Sequence, residues 1–170
     1  MDMPNVRLEV NFERDKLRQG GRDIVEFFIS TNPGEPPKPI SRIASGGELS
    51  RIMLAIKNAL AGKDDIPTLI FDEVDTGISG RAAQKVGLKL KSVAKHRQII
   101  CVTHLAQIAA LADTHFLIRK EFTSEKTFTK VHQLDFEGRK QEIARIIGTD
   151  QITELTLKNA EEMLKQGETA

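Results

Sequence analysis

The sequence predicts an α/β fold, and three observations predict it. Thr68–Phe71 and Ile99–Val102 are short apolar runs of the kind buried on both faces of a parallel sheet. Arg81–Lys95, between them, carries the apolar spacing of a helix. Strand, helix and strand at this separation make a parallel crossover unit. The composition of the 170-residue chain fits a globular domain: 39% of residues are hydrophobic and 29% charged, and no apolar stretch approaches the ~18 residues of a membrane span. Twenty-five Lys and Arg against twenty-four Asp and Glu leave a net charge of +1, so any nucleic-acid contact must be local. A single cysteine, Cys101, excludes an internal disulfide framework, and residues 1–13 lack the apolar centre of a secretory signal. A reducing, cytoplasmic setting is expected. With no Trp and no Tyr, the chain has few platforms on which unpaired bases stack.

Each element follows in order. Val6–Val10 and Ile24–Ser30 are β-rich runs separated by a polar stretch containing Gly20-Gly21, which predicts an antiparallel pair. Four of the six prolines lie between Asn32 and Pro39, and they predict a loop or extended connector. From Glu48 to Leu60 apolar residues recur at Leu49, Ile52, Met53, Ile56, Ala59 and Leu60, one face of a helix that Gly62 would end. After the crossover unit, Phe116–Arg119 and Thr127–Leu134 read as strands, and Glu137–Ile147 and Asp150–Gln166 as closing helices. Parallel and antiparallel pairing together predict a mixed, mostly parallel sheet.

Three constellations could carry chemistry. Ala44-Ser-Gly-Gly-Glu-Leu-Ser-Arg51 opens the first helix. Ser45 and Glu48 stand three apart, as in a reciprocal capping box. The same geometry also admits a phosphate, because Gly46 and Gly47 lack a Cβ and the helix N-terminus favours anions. Second, the strand Thr68–Phe71 runs into Asp72 and Glu73, at the carboxyl edge where α/β sheets bind ligands. One carboxylate there suffices to hold Mg²⁺ through its water shell while the next aligns an attacking water, although two acids in an exposed loop would look the same. Third, His104 follows the strand ending at Val102 and falls at the same edge, where an imidazole can donate to a phosphate oxygen. The four histidines, 96, 104, 115 and 132, lack metal-ligand spacing. Gly77-Ile-Ser-Gly-Arg81 falls short of a hydrolase elbow because Arg81 stands where the second glycine is required.

The order of the three resembles the C-terminal part of an ATP-binding-cassette ATPase: signature motif, Walker B, switch histidine, over residues 41–113. Ile-Ser-Thr-Asn-Pro-Gly-Glu-Pro from Ile29, Phe-Asp-Glu-Val-Asp-Thr-Gly-Ile-Ser-Gly from Phe71 and Val-Thr-His-Leu-Ala-Gln-Ile-Ala from Val102 extend the likeness to nearly the whole chain. They resemble the RecN family of bacterial DNA-repair ATPases, in the SMC-like branch. The resemblance implies the C-terminal lobe of a P-loop ATPase head as one domain, residues 1–170. Within it, residues 1–40 hold the strand pair and connector, 41–113 the signature, Walker B and switch-histidine region, and 114–170 a strand pair and closing helices.

It implies ATP hydrolysis between two associated heads, in double-strand break repair and recombination. Ser45, Gly46, Gly47 and Glu48 would bind the γ-phosphate of ATP held by the opposite head, and Asp72 would support Mg²⁺. Glu73 would orient or deprotonate the water, and His104 would touch the γ-phosphate. Ala44 and Glu48 replace the Leu and Gln of transporter signatures, which leans toward the SMC and repair branch. Ser79 stands where many relatives carry a D-loop Asp, so no D-loop carboxylate role is transferred to it or to Asp75.

No Walker A motif is present: the Gly62-Lys63 pair is followed by Asp64, with Lys57 where the first glycine belongs. Sustained heptads of a coiled coil are absent too. The expected partners are therefore an N-terminal Walker A half of the same protein, a second head and DNA, with no membrane, and the chain alone is expected to be nearly inert. Arg81, Lys85, Lys89, Lys91, Lys95 and Arg97 form either a phosphate-tracking patch or a solvated outer face. The alternatives are another head of the same class, such as an SMC chromosome-organising protein or a transporter subunit, and a non-catalytic scaffold lobe.

Overall fold

The computed structural model describes residues 6–30, 34–42, 45–60, 65–122, 126–148 and 151–170. Part of the proline-rich connector, Ala44 and the helix stop at Gly62 lie outside these residues. The antiparallel pair is present and longer than its apolar runs: β1 (Arg7–Arg18) pairs with β2 (Gly21–Ser30) from Arg7↔Ser30 to Arg14↔Asp23, with a register shift before Arg18↔Gly21. Period-two alternation sets Leu8, Val10 and Phe12 opposite Ile29, Phe27 and Val25 on one face. Polar residues at the intervening positions hid the strand's full length. A two-residue edge strand, β3 (Lys38–Pro39), pairs with β2, and proline is tolerated there because an edge position needs no ladder donor.

After a 3₁₀ turn at Ile40–Arg42, α1 (Gly46–Ala59) begins at the Ser45 N-cap. Its burial corrects the predicted stripe: Ile52 and Leu54 are buried, whereas Leu49, Met53, Ala59 and Leu60 are exposed. The crossover unit is as expected. β4 (Thr68–Phe71), α2 (Gly80–Ala94) and β5 (Gln98–Cys101) place two parallel strands in register from Thr68↔Gln98 to Phe71↔Cys101. There follow α3 (Ala106–Ala109) and an antiparallel pair, β6 (His115–Phe122) and β7 (Thr127–Leu134).

The chain closes with α4 (Phe136–Ile147) and α5 (Glu154–Glu168). The last helix starts later than its composition predicts, because Thr153 and Thr156 form a reciprocal capping box that fixes the first turn. Parallel and antiparallel pairing are both present, but among the described residues they occupy three separate sheets, ordered β1-β2-β3, β4-β5 and β6-β7, rather than one. The physical reason is connectivity: β1 and β2, and β6 and β7, are joined by short connections, and of the consecutive strands that pair with each other only β4 and β5 have a helix between them.

Two hydrophobic clusters hold these parts. Leu54, Phe71, Val74, Val86, Leu90, Val93 and Ile108 fix α1, α2 and α3 to the parallel pair. Ala106, Ala109, Ala110, Ile143, Ala144, Ala160 and Leu164 join α3 to α4 and α5. Small side chains allow close approach in the second cluster. At Gly167 a Cβ would strike the backbone of Ala110, so α5 needs glycine where it crosses α3. Among the described residues no helix is long and apolar enough to cross a membrane.

Candidate functional site

Parallel pairing of Phe71 with Cys101 brings the carboxyl ends of β4 and β5 level, and Val102 N–H donates to Phe71 O (3.0 Å) just beyond the ladder. Asp72 and Glu73 leave one strand and His104 the other, all three exposed at this shared rim. The turn after β4 is tight. Asp72 Oδ1 accepts from Glu73 N–H (2.9 Å), and Glu73 has φ +58, a left-handed conformation that non-glycine residues seldom adopt. The turn divides the four residues Asp72–Asp75 cleanly: the first two carboxylates stay in solvent, while Val74 and Asp75 are buried.

The first turn of α1 packs directly on this rim. Ser50 Oγ donates to Asp72 O (2.6 Å), and Arg51 Nη1 donates to Val74 O (3.3 Å) and Thr76 O (2.7 Å). Gly47 is buried where a Cβ would come 2.8 Å from Thr76 O, so glycine is needed for the helix to sit this close. A Cβ at Gly46 would meet the Glu73 carboxylate. Glu73 therefore rests over the helix N-terminus, where the backbone dipole favours an anion. Between α1 and β4 lies an open groove of about 460 Å³ with Gly46, Ser50, Asp72 and Glu73 at one end and Leu49, Met53 and Ile70 along its apolar wall.

Ser45 caps α1 by accepting from Glu48 N–H at 3.5 Å. The return arm of a capping box, from Glu48 to the Ser45 N–H, is not among the contacts of the described residues, which corrects half of that expectation. The half-buried Glu48 and Ser45 thus flank the helix start without closing on each other.

Sequence reasoning gave no role to Asp75, whose buried carboxylate accepts two hydrogen bonds at the rim. Its Oδ2 accepts from Thr103 Oγ1 (2.6 Å) and His104 N–H (2.9 Å) and lies 3.1 Å from His104 Nδ1. The signal was available: an acid three residues past Asp72 and a threonine before the histidine, on loops that a parallel register must bring together. Cys101 sits beneath. Burial, with the nearby charges of Asp75 and Asp72 adding to it, pushes its thiol up to about 12, so it stays protonated and is no nucleophile at neutral pH.

The basic row on α2 is reduced. Arg81, Lys89 and Lys95 are exposed, but Lys91 turns inward to donate to Gly167 O and lies 3.9 Å from Asp113.

With this geometry in view, no family model matches the chain. It is 48% identical over 159 residues to the DNA repair protein RecN of Bacillus subtilis, covering 94% of this chain and 28% of that protein. The Vibrio cholerae RecN is 45% identical over 166 residues, 96% of this chain and 30% of the relative. Over most of its length the sequence is similar to one segment of the RecN proteins. It spans less than a third of the length of the curated RecN proteins it matches.

Solved structures agree on the fold. An Smc head domain with coiled coil and joint from Pyrococcus yayanosii superposes with a TM-score of 0.61 at 21% identity, over 86% of this chain and 27% of that one. A structure from work on ATP-driven dimerization and DNA-stimulated activation of SMC ATPases gives 0.53 at 23% identity, over 87% and 85%. The chain shares its fold with these SMC head structures.

Proposed function

We propose that this chain is the trans-acting and water-activating lobe of a RecN-type DNA-repair ATPase, working in double-strand break repair and recombination by ATP hydrolysis between two heads. One observation carries the reading: the ends of β4 and β5, level in a parallel register, present Asp72, Glu73 and His104 at one rim against the first turn of α1. A scaffold lobe needs the apolar strands but not this gathering of acids, imidazole and open helix start.

The donor set fits a magnesium nucleotide. Gly46 is exposed at a capped helix N-terminus, and two adjacent carboxylates face solvent beside it. Among the described residues no three acid, imidazole or thiol groups cage a metal by themselves, which suits an ion that keeps several waters and phosphate oxygens as ligands. When bound, Mg²⁺ and ATP supply the reactive phosphoryl group and neutralise its developing charge. Ser45, Gly46, Gly47 and Glu48 receive the γ-phosphate presented by the opposite head. Asp72 holds the ion, Glu73 orients or deprotonates water, and His104 donates to a phosphate oxygen. A phosphate at this helix end would compete with the Glu73 carboxylate that rests over Gly46, because both are anions.

On this reading the partners are a Walker A half of the same protein, a second head and DNA, and the working location is the cytoplasm, at the nucleoid. ATP turnover of the chain alone, and of the full-length polypeptide that contains it, tests the proposal. The chain alone should be nearly inert and the longer polypeptide active. Robust turnover by the chain alone overturns the division of labour.

A further inference from the structure

We propose that the solvent face of α2 is a phosphate-tracking surface for duplex DNA, carried by Arg81, Lys89 and Lys95 with the half-buried Lys85 between the first two. This rests on the proposed function for DNA as the partner. It goes beyond that reading by saying where on this chain the duplex lies.

From residue 76 to residue 112 the sequence holds six Lys and Arg and no Asp or Glu, in a chain whose net charge is only +1. The structure gathers this excess onto one side of a helix. Ala83, Val86, Gly87, Leu90 and Val93 are buried where α2 packs against α1, α3 and β5. Arg81, Lys89 and Lys95 are exposed on the side turned away, with the uncharged Gln84, Leu88 and Ser92 exposed among them. From Arg81 to Lys95 the row runs for about 21 Å at the helical rise. Over that length a duplex offers a phosphate charge every ~1.7 Å of its axis.

The row is also uncompensated. In α4 Lys140 pairs with Glu137 and Arg145 with Glu142, and in α5 Lys165 pairs with Glu161, each within about one turn. Among the described residues Arg81, Lys89 and Lys95 pair with no acid. Arg81 and Lys85, and Lys85 and Lys89, stand four apart, so like charges repel along the helix. Arg81 lies in the first turn, which holds no acid, and there it opposes the helix dipole. A face made for solubility alone would take acids at these positions, as α4 and α5 do. An anionic partner relieves the repulsion instead.

The chemistry of the face selects the anion. No aromatic ring stands in α2 for an unpaired base to stack on. Lysines meet phosphate as point charges and carry no base-reading fork. The apolar stripe of α2 is consumed by the core, so the helix has no apolar face to sink into a lipid surface. What remains is sequence-independent contact with a duplex backbone.

Titrating this chain into a fluorescently labelled duplex of mixed sequence, over a range of KCl concentrations, tests the surface. The logarithm of affinity should fall against the logarithm of salt with a slope of about −3 to −4, as three or four phosphate contacts require. Lys89→Gln combined with Lys95→Gln should weaken binding about 10- to 100-fold at low salt and make the slope shallower by about two, while the thermal midpoint holds or rises. Lys38→Gln combined with Lys158→Gln removes the same charge from exposed lysines elsewhere and should leave affinity and slope near those of the parent. No binding by the unaltered chain, equal losses in the two double variants, or a midpoint that falls together with binding overturns the inference. Tighter binding to phosphatidylserine vesicles than to duplex, lost with Lys89 and Lys95, makes lipid the partner and overturns it too. The measurement uses no ATP, so a full-length polypeptide that fails to turn over ATP removes the proposed hydrolysis while duplex binding still decides for or against this face.

Discussion

The rim and the helical end of this molecule are built by opposite means. At the rim, backbone carbonyls and a buried acid are held by directional donors: the Ser50 and Arg51 side chains reach from α1 to the β4 turn, and the Thr103 hydroxyl and the His104 backbone N–H reach from the β5 loop to Asp75. At the helical end, α3, α4 and α5 meet through alanines, Ile143 and Leu164, with glycine at the closest crossing. Directional bonds keep exposed groups aimed while leaving them in water. Close packing supplies stability without presenting any chemistry. The difference teaches that substitutions at the two places should separate turnover from stability.

The largest effect is expected at the rim. Glu73→Gln in the full-length polypeptide should reduce ATP turnover about 10²- to 10⁴-fold, the usual contribution of a positioned general base, while ATP binding and the thermal midpoint stay near those of the parent. Unchanged turnover removes Glu73 from the mechanism. Next, Leu164→Ala at the helical end should cost about 2–5 kcal/mol, measured by urea unfolding, because it opens a cavity among close-packed helices. Its side chain is 1% exposed, so water cannot fill the loss. Arg51→Met tests the boundary between the two regimes. Losing charged donors to Val74 O and Thr76 O should cost about 1.5–3 kcal/mol and speed amide exchange in the turn after β4.

Two smaller effects belong to the helical end. Asp135→Ala removes the cap that accepts from Gly138 N–H (2.8 Å) and should cost about 1 kcal/mol in the same assay. His115 gives a pH dependence of its own. Burial, aided by the Arg139 charge and opposed by Glu142, lowers its pKa below 6.5, and its buried Nδ1 has no hydrogen-bond partner among the described residues. The folded state then binds the proton more weakly than the unfolded chain. Stability is complete above the unfolded value and falls as pH drops through it. Urea midpoints measured from about pH 7.5 down to about 5.5 should decline, and His115→Gln should flatten that decline.

Much of this was legible in advance, for reasons that particular residues make plain. The β4, α2, β5 unit was readable because its apolar runs are short, bounded and separated by a helical period. The long arm of the β1–β2 hairpin was not, since Asn11, Glu13 and Arg14 interrupt hydrophobicity without interrupting pairing. The α1 stripe misled because Leu49 and Met53 line an open groove rather than a core. Asp72, Glu73 and His104 announced themselves by position at strand ends. Asp75 did not, because its signal, an acid on one loop and a threonine on the other, is read only once the parallel register has brought the two loops together.

The sequence by itself determined the order of elements, the parallel crossover and the residue types at the rim, since periodicity and strand-end placement are local properties written in the chain. Only the tertiary structure decided that the pairings divide into separate sheets, that Glu73 lies over Gly46 and that Asp75 turns inward to His104. Those outcomes depend on contacts between residues about thirty positions apart, and such contacts follow from packing and register rather than from any local pattern.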